Sequence, residues 1–152
     1  QQNIENLTYK DNTFDSVLHS ETLEHVSNPD KAMDECRRVI KQTGFIIFTT
    51  PVIWNRITRK RAIIEGGTIL KLLPASYHGY STDDYLVFHE YGRDIGSILR
   101  AKVIYADSEF QMYVFGSSKE GNKITSKNQL KYRIGEKRAI RLTKKILKNN
   151  ER

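Results

Sequence analysis

Two glutamates and a histidine, Glu21, Glu24 and His25, stand at i, i+3 and i+4 in the run Glu21-Thr22-Leu23-Glu24-His25-Val26. On a helix these three side chains share one face. Two carboxylates and an imidazole on one face can ligate a divalent cation, and such a cation lowers the pKa of a hydroxyl bound to it. Two plainer readings stay open. His25, or the later His89, acts as a general base with no metal. Or Glu24 and His25 only fix the loop and the next helix by hydrogen bonds.

The elements around this run are written clearly. A turn at Lys10-Asp11-Asn12-Thr13 leads into a strand over Asp15-Ser16-Val17-Leu18. Ser27-Asn28-Pro29-Asp30 predicts a helix start: Ser27 or Asn28 as cap, Pro29 in the first turn, Asp30 complementing the helix dipole. Ala32, Met33, Cys36, Val39 and Ile40 recur at spacings of three and four, the apolar stripe of an amphipathic helix. Gly44 is expected to end that helix in the left-handed conformation. Phe45 to Thr49 is an almost unbroken apolar run, which suits a parallel strand covered on both faces. Strand, helix and strand make a βαβ crossover from Val17 to Phe48.

Further along, Trp54, Ile57, Ile63, Ile64, Ile69, Leu70, Leu72 and Leu73 suggest two short helices split by Gly66-Gly67. An aromatic stretch follows with Tyr77, His78, Tyr80, Tyr85, Phe88, His89 and Tyr91, then a helix expected over Gly92–Leu99. Residues 102–106 and 111–115 read as two strands joined by a hairpin-length loop. Residues 116–127 read as polar and loose. From about Asn128 a basic helix is expected, with Ile134, Ile140, Ile146 and Leu147 on its apolar side and Gly135 against it.

The order and spacing of three motifs resemble a known family. Leu7-Thr8-Tyr9-Lys10-Asp11-Asn12-Thr13-Phe14-Asp15-Ser16-Val17, then Leu23-Glu24-His25-Val26, then Arg38-Val39-Ile40-Lys41-Gln42-Thr43-Gly44 are similar to the second half of a class I S-adenosylmethionine-dependent methyltransferase, of the methyltransferase type 11/12 kind. The resemblance implies an α/β fold with a Rossmann-like sheet. It covers residues 1–118, here only the strand 4-5-7-6 half with flanking helices, and a basic, helical tail at 119–152 follows. Residues 14–19 correspond to strand 4, 45–50 to strand 5, 102–106 to strand 6 and 111–117 to strand 7. The glycine-rich loop and the ribose-binding acid of the first half have no counterpart, and no G-x-G-x-G occurs. Strand 4 is then an open edge that invites pairing, either with the rest of a longer protein or with a second copy in a homo-oligomer.

The resemblance also implies roles. S-adenosylmethionine is the expected cofactor, with Asn3 and Ile4 at its adenine and His19 and Ser20 near its sulfonium. Glu24, His25 and His89 are the candidate catalytic residues. Trp54, Tyr77, His78 and Tyr85 fall in the family's substrate lid. Methyltransferases of small RNAs use an E-x-x-E-H set with a later histidine as a metal site, which maps here to Glu21, Glu24, His25 and His89, with His78 as second choice for the later histidine. The implied reaction is methyl transfer to oxygen of a small-molecule, sugar or RNA acceptor. The rival reading is a non-catalytic half-domain that binds nucleic acid or a partner through its tail.

Composition sets the outer bounds. The chain has 152 residues, 38% of them hydrophobic, enough for one domain with a modest core. The first residue is not Met, which predicts a fragment or processed chain. No apolar run reaches the roughly 18 residues of a membrane span. The single Cys36 excludes an intrachain disulfide framework and points to a reducing cytoplasm. The net charge of +7 comes from the tail, where Lys119 to Arg152 holds twelve Lys/Arg against three Glu. Such a tail either binds RNA or anionic lipid or is a solvated face.

Overall fold

The computed structural model describes residues 2–79, 85–107 and 112–121. The expected basic helix, nearly all of the 119–152 tail, Tyr80 and the loop residues 108–111 lie outside the described residues. The elements run β1 (Phe14–Ser20), α1 (Pro29–Val39), β2 (Ile40–Thr49), β3 (Val52–Ile53), β4 (Arg59–Lys60), β5 (Ala62–Glu65), β6 (Thr68–Lys71), β7 (His89–Gly92), α2 (Ile95–Ile98), β8 (Lys102–Asp107) and β9 (Met112–Ser118). The main sheet has the order β1-β2-β9-β8. β1 and β2 are parallel; β2–β9 and β9–β8 are antiparallel. Among the described residues β1 pairs on one side only, and Leu18 on it is 70% exposed.

The parallel pair follows from the helix between its strands. Asn28 caps α1 by accepting from the Lys31 N–H at 3.0 Å, Pro29 occupies the first turn, and Asp30 sits at the positive end of the dipole. Ala32, Met33, Cys36 and Val39 are fully buried against the sheet. Arg37, on the same face, is buried too. Its Nη2 donates to the Leu99 carbonyl at 2.7 Å and to Ser117 Oγ at 3.3 Å, which ties α1 to the far side of the sheet. Outside, Arg38 grips Glu35 through Nε and Nη2 and donates to the carbonyls of Leu7 and Tyr9 and to Asp11. That clamp holds the N-terminal loop along the helix, and the paired guanidinium keeps the Glu35 carboxyl below its ordinary range.

Gly44 departs from expectation. The helix stops at Val39, and Gly44 is not among the residues with positive φ. Ile40 caps the helix in an extended conformation, donating to Cys36 O, and Lys119 Nζ donates to the carbonyls of Arg38 and Ile40. Gly44 is needed for space instead. A Cβ there would lie 3.0 Å from the Asp15 carbonyl of β1 and 2.9 Å from Ile40 Cβ.

β2 alternates as a sheet strand must. Ile46 and Phe48 are buried, whereas Phe45 and Ile47 are half-buried. His19 of β1, Phe48 of β2 and Phe115 of β9 are in register and stack in sequence, with ring centroids 5.1 and 5.3 Å apart. Each offset aromatic pair adds about 0.5–1.5 kcal/mol beyond the area it buries. This ladder crosses three strands near the carboxyl end of β1.

Two predicted helices are instead a hairpin. β5 and β6 pair antiparallel, Ile64 opposite Ile69, across a two-residue turn at Gly66-Gly67 with φ of +56° and +80°. Two glycines with positive φ are the chemistry of a tight hairpin turn, and the β-branched isoleucines favour strand. The helix expected over Gly92–Leu99 shrinks to α2, because Gly92 ends β7 and the Asp94 carboxylate accepts from the N–H and hydroxyl of Thr58. β8 and β9 fall where two strands were expected.

Gly92 sits where two backbone segments cross closely. A Cβ there would sit 2.2 Å from the Arg56 carbonyl oxygen. Gly92→Ala is expected to cost about 3 kcal/mol or more, as severe overpacking against backbone does. Gly67→Ala, in open space with only its φ to strain, is expected to cost about 1–2 kcal/mol. Urea denaturation of the two variants checks this; equal losses would refute the close crossing at Arg56.

Candidate active site at the carboxyl ends of β1 and β2

The run after β1 is a turn rather than a helix. The His25 N–H closes it on the Thr22 carbonyl at 3.0 Å, and Glu21 has φ of +47°. Glu21, Glu24 and His25 therefore do not share a helical face. Glu21 points to solvent. Glu24 turns inward and is 1% exposed.

Three contacts fix Glu24. Its carbonyl accepts from the N–H groups of Phe88 (2.7 Å) and His89 (3.1 Å), just ahead of and at the start of β7. Its Oε2 accepts from the Thr50 hydroxyl, at the end of β2, at 2.8 Å. Its Oε1 is buried with no hydrogen-bond partner. Facing that oxygen are His25 Nε2 at 3.6 Å and His78 Nδ1 at 3.7 Å. The two imidazoles meet edge to face, 4.9 Å between centroids, and Tyr85 leans on His25 at 5.6 Å. His25 Nδ1 lies 3.1 Å from the Leu86 carbonyl. A carbonyl only accepts, so that nitrogen carries hydrogen and Nε2 of the neutral ring turns a lone pair toward Glu24. Burial raises the Glu24 pKa, opposed by hydrogen bonds from the backbone and from Thr50 that favour the charged form.

The other expected residues separate into groups. His89 does not join the cluster. Its Nε2 meets the Ser27 carbonyl at 3.3 Å, and burial lowers its pKa. It lines a cavity of ≈ 470 Å³ beside Asp30, Lys60 and Asp94, whose lining contains none of Glu24, His25 and His78. Trp54 packs in the core, edge-on to Tyr113. Tyr77 accepts from Lys71 Nζ through its hydroxyl. His78 and Tyr85 do come to Glu24 and His25. His19 and Ser20 lie at the carboxyl end of β1, where open α/β sheets bind ligands. The Ser20 hydroxyl pairs with Thr49 at 2.6 Å. Both ring nitrogens of His19 are shielded and unpartnered. Asn3 spends its side-chain carbonyl on the Glu5 N–H, and Ile4 packs on the core.

The geometry can be set beside known proteins. The family model described as "Methyltransferase domain" matches residues 1–48. The ubiquinone biosynthesis O-methyltransferase of Thiobacillus denitrificans is 37% identical over 68 residues, 45% of this chain and 29% of its own length. Over this segment the chain is similar to methyltransferases. The ubiquinone/menaquinone biosynthesis C-methyltransferase UbiE of Hydrogenovibrio crunogenus is 55% identical over 42 residues, 28% of this chain and 16% of its own. The crystal structure of the cyclase SpnF aligns at 36% identity and a TM-score of 0.32, over 33% of this chain and 18% of that one. The chain spans under a third of the length of these curated relatives. The segment matched to the methyltransferase family holds β1, α1, Glu24, His25 and most of β2. Thr50, Leu86 and His78 lie past it.

Sequence reasoning missed Thr50, although a polar pair, Thr49-Thr50, closing an apolar strand was a visible signal. It also missed the Leu86 carbonyl that sets the His25 tautomer, for which no side-chain signal exists.

His19 generates a test. Burial pushes its pKa down to about 4, against 6.5 when unfolded. The unfolded chain therefore takes up a proton that the folded chain refuses, so stability is expected to fall as pH drops from 6.5 toward 4. His19→Phe, which keeps the stack on Phe48, is expected to remove up to about one proton from that slope. Chemical denaturation at stepped pH measures it; an unchanged slope would mean His19 is hydrated.

Proposed function

We propose that the protein transfers a methyl group from S-adenosylmethionine to an oxygen of a small-molecule acceptor. The observation that carries the reading is the buried Glu24–His25 pair at the carboxyl ends of the parallel strands β1 and β2, inside the segment matched to the methyltransferase family. The sheet order β1-β2-β9-β8 is read as the family's strands 4-5-7-6, and the open edge of β1 as the seam where the family's remaining strands pair. The cofactor supplies an electrophilic methyl group. Displacement at that methyl needs the acceptor held in line and its proton removed. His19, with two unpartnered ring nitrogens, and Ser20 are this chain's contribution to the cofactor side. Asn3, already engaged, fits less well. The Glu24–His25 pair is where an acceptor hydroxyl loses its proton, with His78 and Tyr85 bordering that acceptor. A divalent cation at this pair would serve the same end. The ubiquinone biosynthesis O-methyltransferases among the relatives favour an oxygen acceptor. The +9 tail supports a second reading, an RNA acceptor, which salt-sensitive RNA binding would favour.

The experiment follows radiolabelled methyl from S-adenosylmethionine into a catechol probe. The chain is assayed alone and extended by whatever the gene encodes upstream. Label is expected in a methoxy group, and His25→Ala is expected to lower kcat by about 10²–10⁴-fold, the usual worth of a proton-transfer group. Label on ring carbon would refute the oxygen reading. No transfer and no cofactor binding by either form would favour the non-catalytic half-domain.

A further inference from the structure

Arg61 closes a basic run, Arg59-Lys60-Arg61, in which Arg59 and Lys60 are exposed and the Arg61 side chain is only 16% exposed. Bonds from the two ends of one loop converge on it. Its N–H donates to the Phe88 carbonyl at 2.7 Å, and its own carbonyl accepts from the N–H groups of Leu72 at 2.7 Å and Leu73 at 3.2 Å. Its guanidinium donates through Nη2 to the Pro74 carbonyl and through Nη1 to Glu90 Oε2 at 3.1 Å. Leu72, Leu73 and Pro74 follow β6, Phe88 precedes β7, and Glu90 lies on β7. The chain between β6 and β7 therefore leaves from Arg61 and comes back to it.

That loop delivers one contact with chemical weight. The Leu86 carbonyl lies 3.1 Å from His25 Nδ1, keeps the hydrogen there, and leaves Nε2 as the lone pair that a base needs. Glu24 pulls the other way. Its buried Oε1 has no hydrogen-bond partner and faces His25 Nε2 at 3.6 Å, and such an oxygen gains most from a donor. With the Leu86 carbonyl withdrawn, the hydrogen belongs on Nε2, directed at Glu24, and the lone pair is lost. The two arms of the loop move together, because the Val87 N–H donates to the Ser76 carbonyl at 2.9 Å and the His78 N–H to the Tyr85 carbonyl at 3.2 Å. A shift at Pro74 is thereby passed to Leu86.

We propose that Arg61 is a positioning residue for His25: it fixes both ends of the loop that brings the Leu86 carbonyl to Nδ1, and so holds Nε2 in its proton-accepting form. The planar guanidinium suits the task, since its fork reaches two acceptors on different segments where a compact ammonium serves one. Arg56 provides the internal comparison. Its Nη2 pairs with the other oxygen of Glu90, Oε1, so it shares the carboxylate without gripping Pro74. The consequence for catalysis rests on the proposed removal of a proton at His25; the tautomer stands on the geometry alone.

The test is nitrogen-15 NMR of the imidazole rings in the folded chain, with His25 assigned by the signals lost in His25→Gln. The neutral wild-type ring is expected to carry its hydrogen on Nδ1. Arg61→Met, which keeps the length of the stem, is expected to move it to Nε2. The same variant is expected to lower kcat for methyl transfer by about 10²-fold, the cost of displacing a reacting group by about 1 Å, with KM changing less. Arg61→Lys, which keeps the charge beside Glu90 and loses the grip on Pro74, is expected to show both tautomers, and it decides the matter where Arg61→Met does not fold. Arg56→Met is expected to match the wild type in both readouts. A folded Arg61 variant with His25 still wholly in the Nδ1–H form would overturn the proposal. So would an equal shift in Arg56→Met, which would trace the effect to the Glu90 ion pairs rather than to the loop. A tautomer shift in a protein that transfers no methyl group would leave Arg61 its role and remove the proposed function, whereas methyl transfer with an unmoved tautomer would do the reverse.

Discussion

The burial of Glu24 is the constraint on which the rest of the site depends. Its backbone carbonyl holds the start of β7, and its carboxylate holds the end of β2 through Thr50. The turn after β1, the end of β2 and the strand β7 therefore meet at one residue. A carboxylate is the worst group to place in a core on desolvation grounds. Glu24 is the one described acidic residue so placed, with one oxygen satisfied and one not. Tyr91 strengthens the same junction, donating from its buried hydroxyl to the Leu23 carbonyl at 3.0 Å.

The sheet supplies the rigidity that lets this junction hold. β1 and β2 are tied in parallel by α1, and α1 is fixed at both ends. Glu5 accepts from Ser27 and from the Asn28 N–H at its start, while Arg38 and Lys119 secure its finish. The His19–Phe48–Phe115 ladder then locks the register of β1, β2 and β9. A slip of one residue would turn every one of these rings to the opposite face. The turn carrying Glu24 and His25 thus leaves a strand whose end is held in register by the ladder.

Local chemistry was readable from the sequence wherever one segment determined it. Asn28-Pro29 marked the helix start, the stripe from Ala32 to Val39 marked its buried face, and the apolar run after Gly44 marked a strand. Failures came where a second segment decided. Gly44 looks like a helix stop, yet it is required by the Asp15 carbonyl across the sheet. Ile63-Ile64 and Ile69-Leu70 fit helical spacing as well as a hairpin, and only the glycine pair between them, both with positive φ, distinguishes the two. Spacing suggested Glu21 with Glu24, but the turn at Thr22 throws Glu21 outward. The choice between His78 and His89 as the histidine that meets Glu24 depends on the path of the chain between β6 and β7. No periodicity carries that information.

The division of the site along the chain has a consequence for how such a domain works. The residues that meet the proposed acceptor come from the turn after β1 and from the segment before β7, which lies outside the four-stranded sheet. Of the groups expected to hold the cofactor, only His19 and Ser20 are well placed here. On the proposed reading, acceptor chemistry and cofactor binding are separable in sequence and meet where β1 ends. His19 sits at that joint, stacked on Phe48 and five residues before Glu24. A group that fills the open side of β1 would bury Leu18 and press on the His19 ring, and the ladder would carry that contact to β2, whose end holds Thr50 and through it Glu24.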